Sequence, residues 1–243
     1  MRVALVTGSS RGLGRVIAER LARDGLAVAV NDRRGEGEPV AAAIRERGGT
    51  SGAFAADITD AQAVAGLVDA IGRELGPVDV LVVNATGPQP DAPLAAVGWR
   101  DHLDQLEFFV KSPVLLGRAV LPGMRERGCG RIVHVDSEVV DRPPPGRSAY
   151  TTAKAAQTGF MRAWARELAA DGITVNTVAP GFVPVERHAD VPDAERDAYV
   201  ASVPAGRFGT PAEIAHAVSF FAAEEAAFVT GQRLVVDGGR GLA

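Results

Sequence analysis

The chain has only one cysteine, Cys129, among its 243 residues, so no disulfide bond can form within it. This fits a reducing compartment, and the cytoplasm is the expected location. The first residues run directly into an apolar strand pattern, so no signal peptide is expected. Because no apolar stretch approaches the roughly 20 residues that span a bilayer, no membrane partner is expected either.

The sequence also lacks the patterns of nucleic-acid and metal binding. The formal net charge is −4 and no basic stripe is present, which argues against a nucleic-acid surface. The four histidines show no metal-ligand spacing, and no C-x-x-C pair occurs. With a hydrophobic fraction of 47%, the composition is that of a globular enzyme or binding protein without a metal.

Apolar, strand-like runs alternate with helical patterns along the whole chain. Strands are predicted near residues 3–7, 27–31, 52–55, 78–84, 131–136, 173–178 and 233–236. Helices are predicted near residues 12–24, 38–48, 60–75, 97–127, 148–171, 193–202 and 211–223. This alternation indicates an α/β fold with a doubly wound parallel sheet of the Rossmann type, and it forms a single domain over residues 1–243.

A glycine-rich turn follows the first predicted strand. Val3 to Val6 is a short apolar run, and Gly8, Gly12 and Gly14 come after it, before a helical pattern. In this context the backbone can approach a pyrophosphate at the N-terminus of a helix. The spacing G-x-x-x-G-x-G therefore predicts dinucleotide binding, although an ordinary structural turn would leave the same pattern.

Tyr150 and Lys154 stand four residues apart, shortly after Ser137. Residues four apart share one face of a helix. The charge of a lysine there favours the phenolate and lowers the pKa of the tyrosine from its usual ~10. Such a phenol can pass a proton to or from a carbonyl or alcohol oxygen, which a serine hydroxyl can hold. Alone, so short a pattern could equally belong to an ordinary helix.

Seven motifs, taken together, resemble the short-chain dehydrogenase/reductase family in its single-domain branch. They are T-G-S-S-R-G-L-G at 7–14, Asp57-Ile58, N-A-T-G at 84–87, Ser137, Tyr150 with Lys154, Pro180-Gly181, and V-T-G-Q-R-L-V-V-D-G-G at 229–239. The resemblance covers essentially the whole chain and is strongest to 3-oxoacyl-carrier-protein reductases and polyketide ketoreductases. It implies hydride transfer between a nicotinamide cofactor and a ketone or secondary alcohol.

The same resemblance assigns roles to individual residues. Tyr150 would donate or accept the proton, Lys154 would lower its pKa and contact the nicotinamide ribose, and Ser137 would orient the substrate oxygen. Cofactor contacts are implied for Gly8, Ser10, Arg11, Gly12, Leu13, Gly14, Asp32, Arg33, Asp57, Ile58, Asn84, Ala85, Lys154, Pro180, Gly181 and Val183.

The resemblance also implies partners. A small-molecule carbonyl, such as a 3-oxoacyl or polyketide-like ketone, would bind beneath a substrate lid near 182–205. Relatives assemble as tetramers through the helices near 97–127 and 148–171 and through the C-terminal strand, so a homo-oligomer, tetramer or dimer, is expected.

The cofactor type rests on two opposing signals. Asp32 stands at the end of the second strand, where an acidic side chain bonds the ribose hydroxyls and repels a 2′-phosphate, which favours NAD. Arg33, however, occupies the position of a basic residue in many NADP-using relatives, and Arg34 and Arg11 could also reach a phosphate. The sequence favours NAD and leaves NADP open.

Three positions depart from the family pattern. Phe109 replaces the usual asparagine, whose bound water links the lysine to solvent in relatives. Thr86 replaces a glycine, and Val185 replaces a threonine that binds the carboxamide, unless Thr177 supplies a hydroxyl instead. Within the long helix, Gln105, Ser112 or a backbone carbonyl could anchor a substitute water that is reached from Lys154.

These departures keep alternative functions open. A catalytically weak nicotinamide-nucleotide sensor of the same fold is the alternative from a different functional class. An enoyl reductase of the same superfamily spaces tyrosine and lysine more widely, so the four-residue spacing of Tyr150 and Lys154 argues against that activity. A dehydratase or epimerase has no positive signal.

Overall fold

A computed structural model describes residues 1–242. Within them the strands are β1 (Val3–Thr7), β2 (Ala27–Asp32), β3 (Ser51–Ala55), β4 (Val78–Val83), β5 (Gly130–Val135), β6 (Ile173–Pro180) and β7 (Arg233–Val236). They form one sheet in the order β3-β2-β1-β4-β5-β6-β7, and every neighbouring pair is parallel. The predicted doubly wound α/β fold is confirmed.

The helices lie close to their predicted bounds. They are α1 (Gly12–Arg23), α2 (Glu38–Glu46), α3 (Ala61–Glu74), α4 (Trp99–Leu106), α5 (Ser112–Arg127), α6 (Ser148–Leu168), α7 (Asp193–Ala201) and α8 (Pro211–Ala222). None of the helices described has both the length and the apolar character needed to cross a bilayer.

The helix predicted over 97–127 is divided by a π-helical turn, Glu107–Lys111, between α4 and α5. Pro113, at the start of α5, has no N–H group and cannot donate to the carbonyl of Phe109 as a regular α-helix requires. The sequence pattern does not reveal this turn, because the apolar periodicity continues through it. Its consequence is that the Phe109 carbonyl is available to a donor outside the helix.

Helices cover both faces of the sheet, and the strands are accordingly rich in apolar residues. Successive residues of β1 point to opposite sides: Val6 packs with α1, α2 and α8, whereas Leu5 packs with α3, α5 and α6. The order of the strands reverses between β1 and β4, and the carboxyl ends of these neighbouring strands form a crevice.

Hydrogen bonds tie the two strand ends at this crevice together. The hydroxyl of Thr7, the last residue of β1, accepts from the backbone N–H groups of Asn84 and Ala85 at 3.0 and 3.1 Å. The side-chain amide of Asn84 donates to the Thr7 and Gly8 carbonyls at 2.9 and 3.2 Å. The predicted cofactor residues on the two loops are thus held in a fixed relation.

His134 lies in β5, inside the sheet between β4 and β6, and is fully buried against the rings of Phe160 and Trp164. Neither of its ring nitrogens has a hydrogen-bond partner within the described part of the chain. Burial, with a smaller contribution from the charge of Lys154, lowers the pKa of His134 to about 3. The imidazole is therefore neutral in the folded protein.

This neutral histidine predicts sensitivity to acid. Its folded pKa lies below the unfolded value of ~6.5, so the unfolded chain binds one more proton between these two values. The free energy of unfolding should therefore fall as the pH drops through this window, by up to about 1.4 kcal/mol per pH unit from this residue. Urea unfolding should be measured at several pH values between the two pKa values. The pH-dependent part of the unfolding free energy that comes from His134 should be lost in His134→Leu. It should be retained in the control His216→Leu, because His216 is exposed. Identical pH dependence in both variants would contradict the assignment.

Candidate active site

A cleft of about 1700 Å³ lies at the carboxyl ends of the strands. Every residue predicted to bind cofactor or to act in catalysis lines it: Gly8, Ser10, Arg11, Gly12, Leu13, Gly14, Asp32, Arg33, Asp57, Ile58, Asn84, Ala85, Ser137, Tyr150, Lys154, Pro180, Gly181 and Val183. The structure therefore brings the predicted set together in one place, while the role of each member remains a prediction.

The glycine turn at one end of the cleft fits a pyrophosphate. Gly8 and Gly12 have φ of 63° and 57°, a left-handed conformation that side chains disfavour. A Cβ on Gly14 would collide with the Gly8 carbonyl and lie 2.5 Å from the Asn84 amide nitrogen. The first turn of α1 carries no acidic residue, and Arg11 does not cap it with its side chain. Its N–H groups thus present a positive helix end to an anion.

The carboxylate of Asp32 is turned towards its own loop. Its Oδ1 accepts from the backbone N–H groups of Arg34 and Glu36 at 2.7 and 3.0 Å, and the side chain is buried. Arg33 is exposed and lines the cleft. The position that the sequence assigned to ribose recognition therefore also stabilises the β2–α2 loop.

Asp57 lies beside Arg33 in the same part of the cleft. Hydrogen bonds from Thr59, through its hydroxyl at 2.7 Å and its backbone N–H at 2.9 Å, lower the pKa of Asp57. The positive charge of Arg33 acts in the same direction. A carboxylate that stays ionised here is able to accept a hydrogen bond from an adenine amino group.

Ser137 follows β5 and is held by a guanidinium group from β7. Arg233 donates to the Ser137 carbonyl at 2.9 Å and pairs with Asp136 and Asp141 at 2.9 and 2.7 Å. Burial raises the pKa of Asp136, although Lys154 and Arg233 oppose that effect. The Ser137 hydroxyl also accepts from the Val139 N–H at 3.3 Å, which orients the side chain at the end of the strand.

Tyr150 and Lys154 lie on one face of α6, as predicted, and both are buried. The Lys154 amine donates to the carbonyl of Val135 in β5 at 3.0 Å. It lies 4.4 Å from the centre of the Phe109 ring and 5.9 Å from that of Tyr150, and these two rings meet edge to face with 5.3 Å between centres. Phe109 therefore packs against the tyrosine–lysine pair.

The two proposed side-chain anchors for a substitute water donate hydrogen bonds elsewhere, although the Oε1 atom of Gln105 has no partner among the described residues. Gln105 donates to the Pro88 carbonyl at 2.8 Å, and the Ser112 hydroxyl donates to the Phe108 carbonyl of its own helix. Lys154 instead donates to the side chain of Gln157 at 3.0 Å. Sequence reasoning missed Gln157, although a polar residue one helical turn after a catalytic-type lysine was a usable signal.

The opposite wall of the cleft contains a polar cluster that the sequence did not predict. Arg240, near the C-terminus, pairs with Glu138 at 3.0 Å and stacks over the ring of Tyr199 at 4.5 Å. The Tyr199 hydroxyl accepts from the Phe182 N–H at 2.6 Å. These contacts connect the segment 182–205, which lines the cleft, to the C-terminal turn, and they place charged side chains next to the region predicted for the substrate.

The nicotinamide end is built from the segment that follows β6. Gly181 donates to the Val236 carbonyl at 3.0 Å, and a Cβ at Gly181 would lie 2.6 Å from the Tyr199 hydroxyl. Val183 and Val185 both line the cleft. Thr177, considered as a source of the missing hydroxyl, lies within β6, paired with β5 and β7, and does not line the cleft.

Histidine, cysteine and acidic side chains do not converge on a metal-binding arrangement in the described structure.

Comparison with known proteins decides the family. Residues 8–240 match a family model described as enoyl-(acyl carrier protein) reductase. The chain is also 41% identical over 239 residues to the 3-oxoacyl-[acyl-carrier-protein] reductase FabG of Vibrio harveyi, with 98% of this chain and 96% of the relative covered. The chain belongs to the short-chain dehydrogenase/reductase family. It is an oxidoreductase that uses NAD or NADP on a C=O or CH–OH centre.

Further relatives within the short-chain dehydrogenase/reductase family agree. The FabG reductase of Escherichia coli is 40% identical over 239 residues, covering 98% of this chain and 96% of its own. A gluconate 5-dehydrogenase structure from Burkholderia cenocepacia, in complex with NADP and tartrate, has a TM-score of 0.94 at 31% identity and covers 100% of this chain and 96% of its own. An NADP-bound 3-oxoacyl (acyl-carrier-protein) reductase from Agrobacterium tumefaciens has a TM-score of 0.90 at 36% identity, covering 98% and 93%.

The glycine cradle can be tested by filling it. Gly14→Ala should weaken dinucleotide binding at least tenfold and destabilise the fold by about 1–3 kcal/mol, because the new methyl group meets backbone that cannot move freely. Gly66→Ala, in the open middle of α3, is the matched control and should stabilise by about 0.5–1 kcal/mol. Calorimetric titration with NADPH and thermal unfolding measure both effects. Unchanged NADPH affinity in Gly14→Ala would exclude the turn as the pyrophosphate site.

Proposed function

We propose that this enzyme reduces a 3-oxoacyl thioester or a chemically similar ketone, with Tyr150 as the proton donor. The observation that carries the proposal is the buried tyrosine–lysine pair on α6, which lines the same cleft as the glycine turn and Ser137. The substrate class is supported by relatives whose names identify them as 3-oxoacyl-carrier-protein reductases and which match almost the entire chain.

The residues of the cleft divide the work of reduction among them. The nicotinamide, when bound, supplies the hydride that the protein itself cannot provide. The Ser137 hydroxyl, fixed at the end of β5, donates to the substrate oxygen and orients it. Tyr150 passes its phenolic proton to that same oxygen as it gains negative charge. The ammonium of Lys154 stabilises the resulting phenolate, since the two groups share a buried face of α6.

The four-residue spacing favours reduction of a ketone over reduction of an enoyl double bond. The matching family model carries an enoyl reductase description, but Tyr150 and Lys154 lie on successive turns of one helix face, in the arrangement implied for ketone reductases. An active enzyme is also favoured over a nucleotide sensor, because Phe109 packs beside the tyrosine and lysine without displacing either from the cleft.

We further propose that the cofactor is NADP, although Asp32 alone favours NAD. The Asp32 carboxylate already accepts two backbone N–H groups, which disperses its charge towards the loop. Arg33, next to it, is exposed at the cleft and can pair with a 2′-phosphate. Two similar structures of the family contain NADP.

A homo-oligomer and a cytoplasmic location complete the proposal. Leu234 and Val235 expose apolar surface on β7, the edge strand of the sheet, and the nearby segment exposes Phe228. Exposed apolar residues on an edge strand suit a subunit interface. The single cysteine remains the support for the location.

The general acid is tested by removing one oxygen atom. Tyr150→Phe keeps the ring that packs against Phe109 but has no proton to donate, so reduction of a 3-oxoacyl thioester should slow by about 100-fold or more. Steady-state rates and cofactor affinity should both be measured, and the affinity should change little. Normal turnover by Tyr150→Phe would mean that another group donates the proton.

The cofactor proposal is tested at Arg33. Arg33→Ala should weaken NADPH binding about tenfold or more while leaving NADH nearly unchanged, because only NADPH carries the 2′-phosphate. Arg47→Ala removes an equal charge from the exposed end of α2, outside the cleft, and should affect neither cofactor. A wild-type enzyme that prefers NADH would instead establish Asp32 as the dominant residue.

A further inference from the structure

Gln157 connects the lysine of the site to the π-helical turn. Its side-chain Oε1 accepts from the Lys154 amine at 3.0 Å, and its Nε2 donates to the Phe109 carbonyl at 2.8 Å. The side chain is buried, with 2% of its surface exposed. The side-chain amide of Gln157 thus joins α6 to the π-helical turn Glu107–Lys111. In relatives, the resemblance implies that a bound water makes this connection to the lysine.

The acceptor at the far end of this bridge exists because of a proline. A regular helix would use the Phe109 carbonyl to accept from the N–H of residue 113, but Pro113 has no N–H. The side chain at position 109 contributes a ring in place of a polar group, and that ring packs over the Lys154 amine at 4.4 Å. Gln157 therefore supplies the donor that Pro113 cannot give to the Phe109 carbonyl, and it contacts the lysine where the side chain of Phe109 offers no polar group.

We infer that Gln157 is the positioning residue for Lys154 in this enzyme, replacing the asparagine-held water that the family resemblance implies. The carbonyl of Val135 and the amide oxygen of Gln157 hold the ammonium from two sides, while the Phe109 ring covers a third direction. Holding the charge in this place keeps it beside the phenol of Tyr150. An amide does not readily carry a proton, so Gln157 fixes the lysine without serving as a proton relay.

The titratable groups near Lys154 act on it differently from the uncharged amide of Gln157. On β5 and its end, the titratable neighbours are His134, which is neutral, and Asp136, which is buried and paired with Arg233. On its own helix the neighbour is Tyr150. Asp136 acts on the Lys154 ammonium through its charge, whereas the amide of Gln157 accepts a hydrogen bond from it at 3.0 Å.

The inference rests on the proposed roles of Tyr150 and Lys154, but it can be tested without a substrate. The chain has two tyrosines, Tyr150 and Tyr199, and burial raises the pKa of Tyr199. Because the Lys154 ammonium lies near the Tyr150 ring, we expect the first phenolate in an ultraviolet titration of the whole, cofactor-free protein to be that of Tyr150. Tyr150→Phe, which should lack this transition, verifies the assignment.

The decisive variant is Gln157→Met, which keeps the length of the side chain but removes both hydrogen bonds. Loss of an acceptor weakens the ammonium form and loosens its position, so the Tyr150 transition should move up by about one pH unit. Met161→Leu, a buried change one turn further along α6, is the control and should leave the transition in place. A Gln157→Met protein with the wild-type transition would overturn the inference and leave Gln157 with a packing role.

Two further variants keep the test decisive if Gln157→Met does not fold. Gln157→Glu retains a polar side chain but, when ionised, places a negative charge beside the ammonium and cannot donate to the Phe109 carbonyl, so the transition should again move up. An unmoved transition there would also overturn the inference. In the double variant Gln157→Met/Phe109→Asn, the polar link is rebuilt from the other helix, and the transition should return towards the wild-type pH. Failure to return would count against the compensation between the two positions.

Activity separates this inference from the proposed function. If the transition moves as expected but no ketone is reduced, the proposed function is wrong and the role of Gln157 stands. If the wild type reduces ketones and Gln157→Met shows an unchanged transition and unchanged pH dependence of turnover, the role of Gln157 is wrong and the proposed function stands.

Discussion

A buried ammonium group imposes the strictest requirement on this structure. Lys154 is almost fully enclosed, and an isolated charge in such a place costs several kcal/mol unless hydrogen bonds replace the lost water. The strand end at Val135, the π-helical turn at Phe109 and the side chain of Gln157 meet this requirement together. Each comes from a different element, so the sheet and both long helices must be correctly assembled before these groups surround the lysine.

At the carboxyl edge of the sheet, the glycine turn proposed for the cofactor must be held in a fixed position relative to Ser137, which is proposed to bind the substrate. Thr7 and Asn84 lock the glycine turn to the end of β4. At the other end, Arg233 clamps the residue pair Asp136 and Ser137 to β7. Because both sets tie together segments at the carboxyl ends of strands, the proposed positions of pyrophosphate and substrate oxygen would be set by the fold more than by flexible side chains.

The sequence was sufficient for the fold because its signals are local. Strand and helix periodicity, the three glycines and the four-residue spacing of Tyr150 and Lys154 each act over less than one element, and the structure places them as expected. The comparisons confirm the family that these motifs indicate.

The sequence was insufficient where distant residues compensate for each other. Position 109 could be recognised as unusual from the sequence, and Gln157 could be noticed one turn after Lys154, but the contact between these two positions on different helices could not be deduced. Likewise, the identity of Asp32 suggested a ribose contact, whereas its use of loop N–H groups depends on a turn geometry that the sequence does not specify. The polar cluster of Arg240, Glu138 and Tyr199 joins three separate segments and was missed for the same reason.

The central claim is that the buried tyrosine–lysine pair serves reduction of a ketone. The most direct test compares different substrates of the wild-type enzyme. NADPH consumption should be followed with matched thioesters that differ only in carrying a 3-oxo group or a 2,3-double bond, and with a polyhydroxylated keto acid alongside. The account predicts consumption with the 3-oxo thioester and none with the enoyl thioester. The account would be contradicted if NADPH were consumed only with the enoyl thioester. It would also be contradicted if NADPH were consumed with none of the three compounds.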